Sequence, residues 1–254
     1  MIKKFITVDE LKSKREKLLR ENKRVGFVPT MGALHEGHVS LFNKSVAEND
    51  VTIASIFVNK TQFNDPSDYQ NYPRNIEQDS ALLEKTGVDI LFLPTYDEIY
   101  IDNYNYRITE NLLSKTLCGK TRIGHFEGVL TVVLKLLNIV NPDKAYFGEK
   151  DYQQYLLIKK MCEAIFLSVE IINCPTVREP DGLAMSSRNL LLTSEERKTA
   201  PHFYKLLKDG KDISQIKSKL DKLGFIVDYV EDIDMRRFGA VFLGKVRLID
   251  NVEL

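Results

Sequence analysis

The sequence predicts an α/β protein: a doubly wound parallel sheet followed by a second, smaller α+β domain at the carboxyl end. Three features predict it. Short, almost wholly apolar runs recur through the first two thirds of the chain, stretches of helical period separate them, and past Asn189 the pattern turns to Lys-rich helix with two short β runs. Parallel strands covered on both faces read as unbroken apolar runs, and the helices between them are the crossovers.

In chain order, the strands are expected in KRVGFVPT (23–30), DVTIASIFV (50–58), VDILFLP (88–94), DKAYFG (143–148) and SVEIINC (168–174). Helical period falls between them at His38–Glu48, Ile76–Thr86 and Phe126–Val140, and again at Tyr152–Phe166. A further helix opens at TSEERKTA, with Thr193 or Ser194 as N-cap and Glu195 or Glu196 in its first turn. The larger domain is placed at residues 1–176 and the smaller at 177–254, with a hinge near Cys174–Glu179. Ligands of an open α/β sheet collect outside the carboxyl ends of its strands, so the loops after each strand are where chemistry is expected.

Composition narrows the function. The 254 residues carry 36 Lys+Arg against 36 Asp+Glu, a formal net charge of zero, with no block of like charges to grip a nucleic-acid backbone or an anionic membrane. Three widely spaced cysteines, Cys118, Cys162 and Cys174, suggest neither a disulfide framework nor a zinc site. The amino terminus lacks the apolar core of a secretory signal, and the longest apolar stretch, Gly128–Val140, is too short to span a bilayer of about 30 Å. A cytoplasmic protein without nucleic-acid or membrane partners is expected.

The common nucleotide motifs are missing. Gly119-Lys120-Thr121 is no Walker A loop, because Ser114 stands where its first glycine is required, and no G-x-G-x-x-G follows any strand. Directly after the first strand, however, comes Met31-Gly32-Ala33-Leu34-His35-Glu36-Gly37-His38, which feeds a helix. Backbone N–H groups and a helix dipole there favour anions, the glycines let a phosphate approach the main chain, and the imidazoles add donors for charge that grows in a transition state. H-E-G-H is not the zincin spacing H-E-x-x-H, and no third zinc ligand is evident. After the last strand, Met185-Ser186-Ser187-Arg188 offers two hydroxyls and an Arg fork on a loop, suited to phosphates beside an adenine pocket.

These two segments resemble the HxGH and KMSKS-like signatures of the nucleotidylyltransferase superfamily, and within it the chain is similar to the pantothenate synthetase (pantoate–β-alanine ligase) family. The residues that carry the likeness run nearly the whole length: VPTMGALHEGH (28–38), SIFVNKTQF (55–63), YPRN (72–75), RIGHFEGVLTVV (122–133), YFGEKDYQQ (146–154) and PTVREPDGLAMSSRN (175–189). The resemblance implies a Rossmann-like nucleotide- and pantoate-binding domain with a C-terminal lid. It also implies a homodimer and the condensation of (R)-pantoate with β-alanine through a pantoyl-adenylate, using ATP and Mg²⁺ and releasing AMP and pyrophosphate. By position, Met31 to His38 hold ATP, with His38 as proton donor and His35 beside it. Gly148, Glu149, Lys150 and Asp151 contact the nucleotide, Val177 meets adenine, and Met185, Ser186, Ser187 and Arg188 close on the triphosphate. His35, His38, Lys150, Ser186, Ser187 and Arg188 are the expected catalytic set. Gln62 and Gln154 bind pantoate, Gln62 also meeting β-alanine, while Asn59, Tyr72, Arg122 and His125 line or support that end.

Asp79 falls where the family has an acidic residue near the metal, although an acidic side chain within a helix is usually solvated. Two departures stand out: Lys60 replaces a usual proline, placing a cation near the site, and the C-terminal domain looks shorter than is typical. The alternative within the superfamily is another HxGH nucleotidylyltransferase, one that keeps AMP in its product. Outside it, a non-catalytic nucleotide-binding regulator would bind ATP and do no chemistry.

Overall fold

The computed structural model describes residues 2–254. Six parallel strands, β1 (Lys3–Phe5), β2 (Val25–Thr30), β3 (Val51–Ile56), β4 (Ile90–Phe92), β5 (Lys144–Gly148) and β6 (Glu170–Cys174), form one sheet in the order β1-β4-β3-β2-β5-β6. The chain winds outward from β2 through β3 and β4, then returns to lay β5 and β6 on the other side of β2. The switch point therefore lies between β2 and β5, which pair through Gly26 and Phe27.

The five expected strands form, and β1 is added to them. Its three residues, Lys3, Lys4 and Phe5, carry two lysines and stand at the sheet edge, so neither an apolar run nor alternation marks them. One face of the sheet is covered by the helices Val8–Arg20, His125–Val140 and Tyr152–Ala164, whose side chains join Phe27, Ile53 and Phe92 in the main core. The other face, with Val28, Ala54 and Leu91, packs on the helices Glu36–Glu48 and Ile76–Lys85. Apolar cover on both sides is what the unbroken strand runs required.

Past the large sheet, Thr193 proves to be the N-cap of the helix Ser194–Thr199 and forms a reciprocal capping box with Glu196. Helices Pro201–Asp209 and Ile213–Lys222 follow, and then three strands rather than two short runs: β7 (Ile226–Ile233), β8 (Arg236–Leu243) and β9 (Val246–Glu253), each of eight residues and antiparallel. One face of this sheet builds a second core with Phe203, Leu207 and Leu220. From the other face Tyr229, Phe238 and Ala240 join the main core, so the C-terminal unit is docked on the large one by apolar contact.

Candidate active site

A cleft opens at the carboxyl ends of β2 and β5, at the switch point, with the loop after β6 and strand β9 as its further walls. Of the residues expected to meet ATP, Met31, His35, Gly37, His38, Gly148, Lys150, Asp151, Val177, Met185, Ser186, Ser187 and Arg188 line it. Gln62, Gln154, Asn59, Tyr72, Arg122 and His125 line it as well. Gly32, Ala33, Leu34, Glu36 and Glu149 do not. Glu36 is exposed, Leu34 packs on the core beneath the sheet, and Glu149 accepts hydrogen bonds from Arg236 (3.0 Å) and Asn173 (3.2 Å).

The loop after β2 corrects one expectation. Its backbone amides were expected to meet phosphate, but most are already engaged. Gly32 N–H donates to Thr30 Oγ1, those of Ala33 and Leu34 to the two carboxylate oxygens of Asp79 (both 2.9 Å), and that of Gly37 to His35 Nδ1 (3.1 Å). Asp79 is accordingly no solvated face: it is buried and ties the loop down from the helix Ile76–Lys85. Both its oxygens are committed, and among the described residues no group of three or more His, Cys, Asp or Glu side chains could hold a metal ion.

The histidines supply the donors that the backbone does not. Nδ1 of His35 accepts from Gly37 N–H, and Nδ1 of His38 accepts from His35 N–H (3.3 Å). A neutral imidazole whose Nδ1 is an acceptor carries its proton on Nε2. Burial, then the charge of Lys150, pushes His35 down to about 4 against the opposing pull of Asp151. Burial, then His35 and Lys150, pushes His38 down to about 3. Both rings are thus neutral near pH 7, 4.2 Å apart, and each keeps an Nε2–H free of these capping bonds. In this state His38 presents its Nε2–H as a hydrogen-bond donor. Gly37 is required beside them, because a Cβ there would stand 2.8 Å from the His35 ring.

The loop carrying Gln62, whose Nε2 donates to Met31 Sδ (3.2 Å), is fixed from several sides. Asn59 is buried and uses its whole amide: Nδ2 donates to Gln62 Oε1 (3.1 Å) and to the carbonyl of Gly128 (3.2 Å), while Oδ1 accepts from Tyr100 (2.8 Å) and Thr61 (3.1 Å). The carbonyl of Gln62 meets His125 Nδ1 (2.8 Å) and Arg122 (3.4 Å). Asn59 and His125 therefore orient Gln62. His125 is held neutral, pushed to about 3 by burial and then by the Arg122 charge. The adjacent glutamines part company: Gln153 is buried, bonding Cys118, Leu113 and Thr116, and Gln154 faces the cleft. Lys60 is exposed and outside the cleft, so the cation expected near the site is turned to solvent.

Charge converges here despite the neutral total. Arg122 is pushed down to about 10 by burial and then by Arg188, with Arg247 adding to the effect. Arg247 comes from β9 and was missed in the sequence, as was Ile249 two residues on. The only available signal was their alternation in a late strand, which says nothing about which sheet they face.

A family model described as pantoate-beta-alanine ligase matches residues 3–253. The pantothenate synthetase of Bdellovibrio bacteriovorus is 54% identical, over 92% of this chain and 94% of that one. That of Caldicellulosiruptor bescii is 47% identical over 96% of each. The pantoate-beta-alanine ligase of Francisella tularensis, solved with β-γ ATP and β-alanine, superposes with a TM-score of 0.95 at 45% identity, over 100% of this chain and 98% of that one. The pantothenate synthetase structure from Thermus thermophilus gives 0.89 at 39% identity, over 99% of each.

Proposed function

The chain belongs to the pantoate-beta-alanine ligase family, and from that premise we propose how its cleft performs the ATP-dependent condensation of (R)-pantoate with β-alanine to pantothenate. The observation that carries the reading is the meeting, in one cleft, of two neutral imidazoles, Lys150, Arg188 and two serines with Gln62 and Gln154.

A carboxylate resists attack by an amine because its leaving group would be oxide. In the proposed first step a carboxylate oxygen of pantoate bonds to the α-phosphorus of ATP, and the α–β bridging bond breaks with its electron pair leaving on pyrophosphate. Negative charge gathers on phosphate oxygens. The Nε2–H groups of His35 and His38, the Lys150 ammonium, the Arg188 fork and the hydroxyls of Ser186 and Ser187 meet that charge by fixed electrostatics, with no covalent enzyme intermediate. In the second step the free amine of β-alanine attacks the acyl carbon, and AMP leaves. Gln62 and Gln154 hold the pantoate hydroxyls, and a site built to bond those hydroxyls rejects acids that lack them. Val177 and Met185 take the adenine side, and Tyr72 and Arg122 line the end where the two acids meet.

Magnesium belongs to this reading as the counter-ion of the triphosphate, held mainly by the phosphates, while Asp79 holds the loop amides from outside the cleft. Residues 1–176 are proposed as the nucleotide and pantoate domain and 177–254 as its cover. Family likeness supports a cytoplasmic homodimer; no described helix is long and apolar enough to cross a membrane. The test is exchange of labelled pyrophosphate into ATP. It should require pantoate, with AMP released only when β-alanine is added. Exchange without pantoate, or AMP retained in the product, would point to another nucleotidylyltransferase.

A further inference from the structure

Strand β9 is absent from the sequence-based account of the site, yet it touches the nucleotide loops directly. Its side chains alternate, as a strand requires. Leu248 and Val252 enter the C-terminal core, whereas Arg247, Ile249 and Asn251 turn toward the large unit. Asn251 is 4% exposed. Its Nδ2 donates to two successive backbone carbonyls, those of Glu149 (2.9 Å) and Lys150 (3.0 Å). The amide is held in that orientation because its Oδ1 accepts from Arg236, whose other nitrogen bonds the Glu149 carboxylate (3.0 Å) and whose plane lies 4.0 Å over the Tyr152 ring. The preceding residue, Asp250, makes a two-point ion pair with Arg178 (2.6 and 3.0 Å), and Arg178 in turn donates to the carbonyl of Gly182 in the segment leading to Met185.

We propose that Asn251 is a positioning residue for Lys150: one amide from the C-terminal sheet, clamping the Glu149 and Lys150 carbonyls, fixes where the Lys150 ammonium stands in the cleft. The turn Glu149–Asp151 is only three residues long, and no side-chain cap holds its start. Two donors on one nitrogen, each aimed at an adjacent carbonyl, define the orientation of the peptide between them and so the direction of the side chain it carries. Asp250, through Arg178, steadies the other phosphate-facing segment. The last strand thus sets the spacing of two loops more than 30 residues apart in the chain, and the C-terminal sheet acts as a gauge for the site as well as its wall.

The inference rests on the ligase reading, and the two fail differently. Pyrophosphate exchange is measured for the wild-type chain, Asn251→Ala, Lys150→Ala and the double variant, with thermal midpoints for all four. Displacing a charged group by about 1 Å costs on the order of a hundredfold. Asn251→Ala should therefore lower the exchange rate constant roughly tenfold to a hundredfold and leave the KM for pantoate within about twofold. In the Lys150→Ala background the same substitution should change the rate by less than about threefold, because residues acting through one group are not additive. An equal factor in both backgrounds, or a wild-type rate in Asn251→Ala, overturns the proposal. Should Asn251→Ala fail to fold, Asn251→Ser, which keeps one donor, carries the same comparison and should fall between the two. A wild-type chain without any pantoate-dependent exchange would instead sink the ligase reading, and the positioning role with it.

Discussion

At the scale of single residues, what decides the chemistry is protonation and the direction of N–H bonds. His35 and His38 are refused a proton by burial and by their cationic neighbours, and the capping bonds on Nδ1 leave the remaining proton on Nε2. Removing one preorganised donor of this kind costs about a hundredfold to a thousandfold in rate, so His38→Ala should lose that much in pyrophosphate exchange while remaining folded by circular dichroism. Near-normal turnover in the folded variant would remove His38 from the phosphate site. Asp79 makes a separate prediction. Hydrogen bonds to a charged group contribute roughly 1.5–3 kcal/mol each, so Asp79→Ala, which frees two loop amides, should lower stability by about 3–6 kcal/mol in urea unfolding. The Mg²⁺ concentration giving half-maximal rate should not change, whereas a rise in it would make Asp79 a metal ligand after all.

Among the elements, the telling contact lies between the helix His125–Val140 and the turn Lys60–Gln62. A Cβ at Gly128 would come 2.5 Å from the Thr61 carbonyl and 2.8 Å from the Gln62 amide, both backbone atoms that cannot swing aside. Gly128→Ala should push this turn off the helix, raising the KM for pantoate at least tenfold by loosening Gln62 and changing that for ATP much less. Equal KM values for pantoate in the two proteins would detach Gln62 from that substrate. Such contacts also mark the limit of reading by sequence. The strands and helices of the large unit were legible because apolar runs and helical period report directly on what is buried. Strand β1 was not, because three residues with two lysines at an edge carry no period. The loop after β2 was legible as a place for phosphate and misread in its means: nothing local shows that Asp79, in another helix, has taken the amides of Ala33 and Leu34.

For the whole molecule, neutral total charge conceals an uneven distribution in which Lys150, Arg122, Arg188 and Arg247 gather at one cleft. The loop after the last large-domain strand marked Arg188 and the family resemblance supplied Lys150 and Arg122, while Arg247 and Asn251 stayed hidden because their strand belongs to a sheet whose docking partner no local pattern names. Concentrating positive charge around buried histidines has a cost that appears as pH dependence. The folded values of His35, His38 and His125 lie at about 4, 3 and 3, below the ordinary 6.5, so below pH 6.5 the unfolded chain binds protons that the folded one refuses. Their contribution is fully present above pH 6.5 and is lost as pH falls toward 4. The urea midpoint should drop between pH 7 and pH 5; replacing His125 with Asn should flatten that slope.

In the proposed reaction the cleft activates the pantoate carboxylate at the α-phosphorus of ATP. Following oxygen tests it most directly. With pantoate labelled by ¹⁸O in its carboxylate, a single turnover with ATP and β-alanine should leave one labelled oxygen in AMP and none in pyrophosphate. AMP without label, or label in a phosphate split from the other end of the nucleotide, would contradict the account.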